Sequence, residues 1–347
     1  MHVRLAQLSD LGALVSLSQL ETGLTTLPTT EEGMRRKVMS SVESTDPNRC
    51  LDGQESYLFV LESEGEILGL SAIYATAGAQ RPFYNYRVST ISQQSPELDV
   101  RVDTRLLTMV NDYGNSSLVG TLFVHPDARG TGGGRLLSLA RFMFMAAHRN
   151  RFSDFVLAEM RGRTRDDGAS PFWEAVGRKF LQLDFTDADV RSGHESRFIA
   201  DLFPSFPIYA DLLPKDAQDV IGLPHPEAVP AAGLLRQQGF RHRGYVDIFD
   251  AGPCLDACVD DVEIIRSTQE AAIGTPTAAS LEAPERVLIA RPTLQTFVAA
   301  YGTRSGTSVC STDSSTMSSA GLDDGDPILV SPLQPVSYTH LTLPTKA

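Results

Sequence analysis

The stretch HPDARGTGGGRLL, residues 125–137, places glycines at 130, 132, 133 and 134 between a β-like run and an oily, helix-like run. Accepting that backbone entropy between two regular elements frees main-chain amides to converge on an anion with no Cβ in the way. The helix behind them adds partial positive charge at its N-terminus. Arg129-x-x-Gly132-x-Gly134 supplies both conditions, so the turn is either a pyrophosphate site or a plain flexible loop. A dinucleotide fingerprint would need a third glycine at another spacing in an opening βαβ unit, and a phosphate loop would need Gly-Lys-Ser/Thr. Neither is present.

Carboxylates form the second set. Glu159 lies mid-strand in LAEMRG, where a charge among apolar neighbours is costly unless it is paired. Carboxylates in a planar, two-pronged arrangement suit a guanidinium. Glu159 therefore either faces a cationic ligand or forms a structural ion pair with Arg161 or Arg163. Asp247 and Asp250 in VDIFD and Asp112 in NDYG fit solvated or turn-capping positions better. Trp173, the single tryptophan, reads as a core anchor.

These residues need elements to hold them. Val3–Ala6 predicts a strand, with Ser9 capping a helix through Leu11, Leu14 and Val15. GLTTLP (23–28) breaks that helix. YLFVLES and EILGLSAIYA flank Glu64 and Gly65 as an antiparallel hairpin, and PFYNYRV continues the sheet. SLVGTLFVHP (117–126) is a buried strand stopped by Pro126, followed by a mostly buried helix, RLLSLARFMFMAAHR, whose Arg135, Ser138 and Arg141 share one narrow side. FVLAEMRG is a strand, and Ser170-Pro171 opens a helix through PFWEAVGRKF. AAGLLRQQGF into GYVDIFD repeats the helix-Gly-strand arrangement faintly. Beyond Ala251 the texture turns to Ser, Thr, Gly and Ala with β-prone islands at RVLIA and PILVSPL, a small loop-rich β subdomain. The last twelve residues, VSYTHLTLPTKA, look like a translated sequencing adaptor and are set aside.

At 347 residues the chain predicts two domains or one enlarged domain with an appendix. The segments are a main core at 1–250, a β-rich part at 251–335 and the non-native tail at 336–347. A net charge of −13 argues against nucleic acid or an anionic membrane as the main partner. No stretch reaches the ~18 apolar residues of a span, and the start shows no export signal, so a soluble cytoplasmic protein is expected. Cys50, Cys254, Cys258 and Cys310 are too scattered for a disulfide framework, and no Cys/His pair completes a zinc site, so no metal is expected.

The glycine turn between strand and helix resembles the acyl-CoA pyrophosphate turn of the N-acetyltransferase superfamily. More specifically the chain resembles the arginine N-succinyltransferase family, from residue 1 to about 253 and more weakly to about 335. GLTTLP, PFYNYRV, GTLFVHPDARGTGGGRLLSLARFMF, AEMRG, SPFWEAVGRKF, FIADLFPSFPIY, LLPKDAQDVIG and GYVDIFDAGP carry the resemblance. It implies an α+β fold, an N-acetyltransferase-like mixed sheet flanked by helices, with a small C-terminal all-β subdomain. It also implies succinyl transfer from succinyl-CoA, as co-substrate, to the α-amine of L-arginine, the opening step of an ammonia-yielding catabolic route, with no permanently bound cofactor.

By the same implication Leu122 contacts the acyl-CoA, Arg129, Gly130, Gly132, Gly133 and Gly134 form its phosphate turn, and His225 in VIGLPHPE donates a proton. The chain departs from the family pattern by Pro224 directly before His225 and by a slightly shortened SGHESRF. A succinyl carboxylate calls for a cation near the acyl end, with Arg87 and Arg161 as candidates; either could instead meet the carboxylate of arginine. An acyltransferase acting on ornithine or another cationic amine, and a catalytically silent acyl-CoA-binding regulator, are the competing readings. The resemblance further implies a homo- or hetero-oligomer.

Overall fold

The computed structural model describes residues 1–20, 27–192, 197–274, 285–305 and 309–333. Most of GLTTLP, part of SGHESRF and the adaptor-like tail lie outside them. The first ten strands are β1 (His2–Leu5), β2 (Ser56–Ser63), β3 (Glu66–Tyr74), β4 (Asn85–Ser95), β5 (Val100–Val110), β6 (Ser117–Val124), β7 (Phe155–Glu159), β8 (Ile208–Tyr209), β9 (Arg241–Asp247) and β10 (Pro253–Cys258). They lie in the order β1-β2-β3-β6-β7-β10-β9-β4-β5-β8. Every pairing among them is antiparallel except β6 with β7. Helices cover both faces, which gives the α+β mixed sheet that the resemblance implied.

The hairpin of β2 and β3 turns at Glu64 and Gly65, both at positive φ as a tight two-residue turn demands. Its strands are apolar in continuous runs because both faces are covered. Tyr57, Phe59 and Leu61 meet helix Gly133–Ala147 on one side, and Leu58 and Val60 meet helices Leu11–Gln19 and Glu31–Ser44 on the other. Each such side chain contributes about 1.5–3 kcal/mol by leaving water. A third cluster surrounds Trp173, whose ring stacks on Phe249 at 5.5 Å, so the tryptophan is the expected core anchor.

Two local expectations come out differently. The first helix starts at Leu11 after a short 3-10 turn, and its entry is held by the Gln7 N–H donating to Asp10, with no cap from Ser9. The PFWEAVGRKF helix breaks into Pro171–Ala175 and Gly177–Leu181 at Val176, where the indole of Trp173 lies directly against Gly177.

Strands β11 (Gln269–Ile273), β12 (Glu285–Arg291), β13 (Val298–Ser305), β14 (Val309–Ser311) and β15 (Pro327–Pro332) follow. They pair in a ring, β12-β15-β11-β14-β13 and back to β12, around Ile273, Val287, Ile289, Ala300, Ile328 and Val330. Closure removes the exposed edges that a small sheet would leave. β13 also pairs with β1 at Val298–Ala300, so this ring is joined to the main sheet. The sequence places a boundary at residue 250; in the structure β10 lies between β7 and β9 in the main sheet.

Candidate active site

The central irregularity is in β6. Its pairing with β3 shifts between Leu70↔Phe123 and Ala72↔Gly120, so Thr121 and Leu122 face the single residue Ser71. Thr121 stands at φ 54°, a strained conformation for a β-branched residue, and such bulges and strain concentrate at functional sites. On the other edge β6 pairs with β7 only at Ser117↔Val156 and Leu118↔Leu157. Beyond Leu118 the two parallel strands separate. The cleft between them has the second half of β6 as one wall and Ala158 and Glu159 of β7 as the other.

The β6 wall ends in the glycine turn. Gly130 and Gly132 stand at φ 81° and 92°, and Gly132 caps helix Gly133–Ala147. Thr131 donates to the Ala128 carbonyl, and Arg129 reaches back to the Val124 carbonyl at 3.4 Å. Tyr301 of β13 donates to the Gly132 carbonyl at 2.9 Å, so the C-terminal ring braces the turn. The backbone here, with helix dipole behind it, is built to receive an anion.

The β7 wall ends in acid. Asn85 of β4 reaches over the ends of β9 and β10 to donate to Glu159 Oε1 at 2.9 Å. Asp247 accepts from the amides of Phe249 and Asp250, and Asp250 accepts from Gly252 at 2.7 Å and Gly162 at 2.6 Å. The close approach requires glycine: a Cβ on Gly252 would stand 2.0 Å from the Met160 carbonyl. Burial, then the neighbouring Asp247 carboxylate, drives Glu159 and Asp250 well above the ordinary carboxyl range, and burial raises Asp247 too. Among the described residues no arginine or lysine pairs with any of the three. Asn85 Oδ1 is likewise buried with no donor. The Glu159 ion pair with Arg161 or Arg163 does not form: Arg161 turns to His225 and Glu227, and Arg163 to the Pro224 carbonyl. The turn-capping roles of Asp247 and Asp250 are present; Asp250 is buried and Asp247 partly exposed.

His225 is fastened to the same wall. Gly162 bridges to Pro224, the His225 amide donates to the Arg161 carbonyl at 2.7 Å, and Arg161 Nη2 lies 3.3 Å from His225 Nε2. His225 Nδ1 accepts from the Glu227 amide at 3.3 Å. The structure thus brings Glu159, Arg161 and His225 to one wall and Leu122 with the glycine turn to the other. Arg87 is set apart, half exposed and 3.7 Å from Asp112, which accepts from Tyr245. One feature beside the bulge escaped the sequence reading: Tyr74 on β3 is hydrogen-bonded to both Lys37 and Thr121. Its two partners come from two other elements, helix Glu31–Ser44 and β6, so no local spacing announces it.

A glycine turn at a helix N-terminus on one wall and a cluster of carboxylates on the other can bring an anionic donor and a cationic acceptor together. The family described as "Arginine N-succinyltransferase beta subunit" matches residues 1–264. Pseudomonas aeruginosa arginine N-succinyltransferase subunit beta is 42% identical over 281 residues, 80% of this chain and 82% of that one. An arginine N-succinyltransferase of Shigella dysenteriae is 43% identical over 282 residues, with the same coverage. The solved structure of arginine/ornithine succinyltransferase subunit AI from Pseudomonas aeruginosa superposes with a TM-score of 0.84 at 31% identity, covering 95% of this chain and 98% of that one. No described helix is long and apolar enough to cross a membrane. Fold, cleft and similarity together place this acyltransferase chain in the arginine N-succinyltransferase family.

Proposed function

We propose that the chain transfers succinyl from succinyl-CoA to the α-amine of L-arginine. The observation that carries this reading is the cluster of Glu159, Asp247 and Asp250, the last buried and the first two partly so, with no counter-cation among the described residues, at the end of β7 beyond where it parts from β6. Buried carboxylates without a cation are unfavourable until a ligand supplies one, and a guanidinium presents five donors to this acceptor-only surface. The orphaned Asn85 Oδ1 would accept one of them.

Arg129, Gly130, Gly132, Gly133 and Gly134 would hold the diphosphate of a CoA thioester. Its arm would lie along the unpaired edge of β6, with Leu122 offering main-chain groups to the thioester carbonyl as an added strand does. The amine attacks that carbonyl, the C–N bond forms and the C–S bond breaks. His225 gives a ring proton to the departing thiolate, and the proton lost by the amine restores the ring. Neither a metal nor an acyl-enzyme takes part. Arg161, beside His225, is placed for a carboxylate of the acceptor. The word "subunit" in the names of the Pseudomonas relatives supports assembly with a second copy or a paralogous chain.

Free-thiol release from succinyl-CoA, measured with arginine, ornithine and lysine as acceptors, tests the proposal. Release that requires arginine and is fastest with it is the expected result. Release fastest with ornithine would transfer the activity to that amine, and none with any acceptor would leave only a binder of CoA thioesters.

A further inference from the structure

Helix Gly133–Ala147 carries a cation in a place where none is needed for folding. Arg141 is 3% exposed, and burial alone lowers its guanidinium to about 9. It has no carboxylate partner among the described residues. Its hydrogen bonds are Nε to the Ser138 carbonyl at 3.2 Å and Nη2 to the Ser138 hydroxyl at 3.0 Å, both within its own helix. An arginine that bonds only to its own preceding turn ties no two elements together, and burying it uncompensated is unfavourable. Several of its five donors stay unused.

Its position is specific. Residues 134, 138 and 141 share one stripe of the helix. A Cβ on Gly134 would stand 3.5 Å from Val124 of β6, so this stripe faces β6, while Leu137 on the adjoining stripe packs over Gly69 of β3. Ser71, opposite the bulge, donates to the Leu137 carbonyl at 3.5 Å. The turn Leu137–Arg141 therefore sits level with Thr121 and Leu122, at the depth where the β6 edge has lost its partner. Leu122 packs in the same core cluster as this helix.

We propose that Arg141 reads the distal carboxylate of the acyl group, making it the residue that selects a dicarboxylic acyl thioester over a neutral one. This rests on the proposed succinyl transfer and adds its specificity determinant, in place of the Arg87 and Arg161 considered from sequence. An acyl chain whose carbonyl meets β6 at Leu122 ends two methylenes further on in a carboxylate, and the guanidinium on the helix stripe facing that strand supplies a two-pronged, charge-assisted partner. A neutral acyl group would leave the buried cation unpaired, which rejects it more strongly than a missing contact would.

The test compares succinyl-CoA with butyryl-CoA, its uncharged counterpart, using arginine as acceptor, in wild type, Arg141→Met and Arg141→Lys, with CoA binding by calorimetry and thermal midpoints alongside. In Arg141→Met, kcat/KM for succinyl-CoA should fall about 100-fold while that for butyryl-CoA holds or rises, the size expected for one hydrogen-bonded charge pair. CoA affinity should be unchanged, and the thermal midpoint should hold or rise because an unpaired buried charge is gone. Should the methionine variant fail to fold, Arg141→Lys, which keeps the charge but not the fork, should retain part of the succinyl preference. Equal loss with both thioesters, or an unchanged succinyl preference in either folded variant, overturns the assignment of Arg141 alone. A wild-type protein that releases thiol from neither thioester overturns the underlying reading instead.

Discussion

Asn85 and Glu159, on strands separated by β9 and β10, meet at 2.9 Å, the amide donating and the carboxylate accepting, while Asn85 Oδ1 is left buried with no donor. On the proposed function the pair contributes two acceptors to a ligand rich in N–H groups. Replacing Glu159 with Gln keeps the shape and removes the charge. Steady-state kinetics should show kcat/KM for arginine falling about ten- to a hundredfold with KM for the thioester unchanged. A shift in the thioester KM of the same size would place Glu159 on the donor side.

His225 is held by the Arg161 carbonyl, the Gly162–Pro224 bridge and the Glu227 amide, with Nε2 3.3 Å from Arg161 Nη2. The His225→Ala variant should lose about 100-fold or more in kcat. Calorimetry should find succinyl-CoA binding within about twofold of wild type. Unimpaired turnover removes the histidine from the chemistry.

Gly132 at φ 92° accepts the Tyr301 hydroxyl on its carbonyl. A Gly132→Ala chain must hold a side chain in left-handed backbone, at about 1–2 kcal/mol, and should weaken CoA binding and lower the thermal midpoint together. Tyr301→Phe deletes one hydrogen bond of about 1 kcal/mol, so CoA affinity should drop about fivefold with the arginine KM unmoved. An effect confined to the arginine KM would mean that the C-terminal ring acts elsewhere.

Burial and mutual repulsion raise Glu159 and Asp250 well above their ordinary values of 4.5 and 3.8. The folded chain therefore holds protons that the unfolded chain has released. That contribution to stability is complete below the ordinary carboxyl range and is lost as pH rises through the raised folded values. The stability of unliganded wild type relative to Glu159→Gln should fall as pH rises above about 4.5, read as the difference in urea midpoints. Arginine should narrow the gap by supplying the cation; a difference flat in pH would show that Glu159 titrates normally.

Local chemistry was enough to read the strand–turn–helix of residues 117–147, because hydrophobic period, Pro126 and the glycines act within a few residues. It also marked Glu159 as a charge out of place, and family likeness supplied Leu122 and His225. What the sequence left open was which groups face one another. Whether Glu159 had an arginine partner depended on where Arg161 and Arg163 turned, and the β-bridge to Pro224 drew both away. Asp247 and Asp250 read as solvated or turn-capping residues, and it is the packing of the 250–252 turn against residues 160–162 that buries Asp250. Arg141 lay on a legible polar stripe, yet that it stands beside the bulge at Thr121 and the parting of β6 from β7 depends on long-range pairing, which no local pattern encodes.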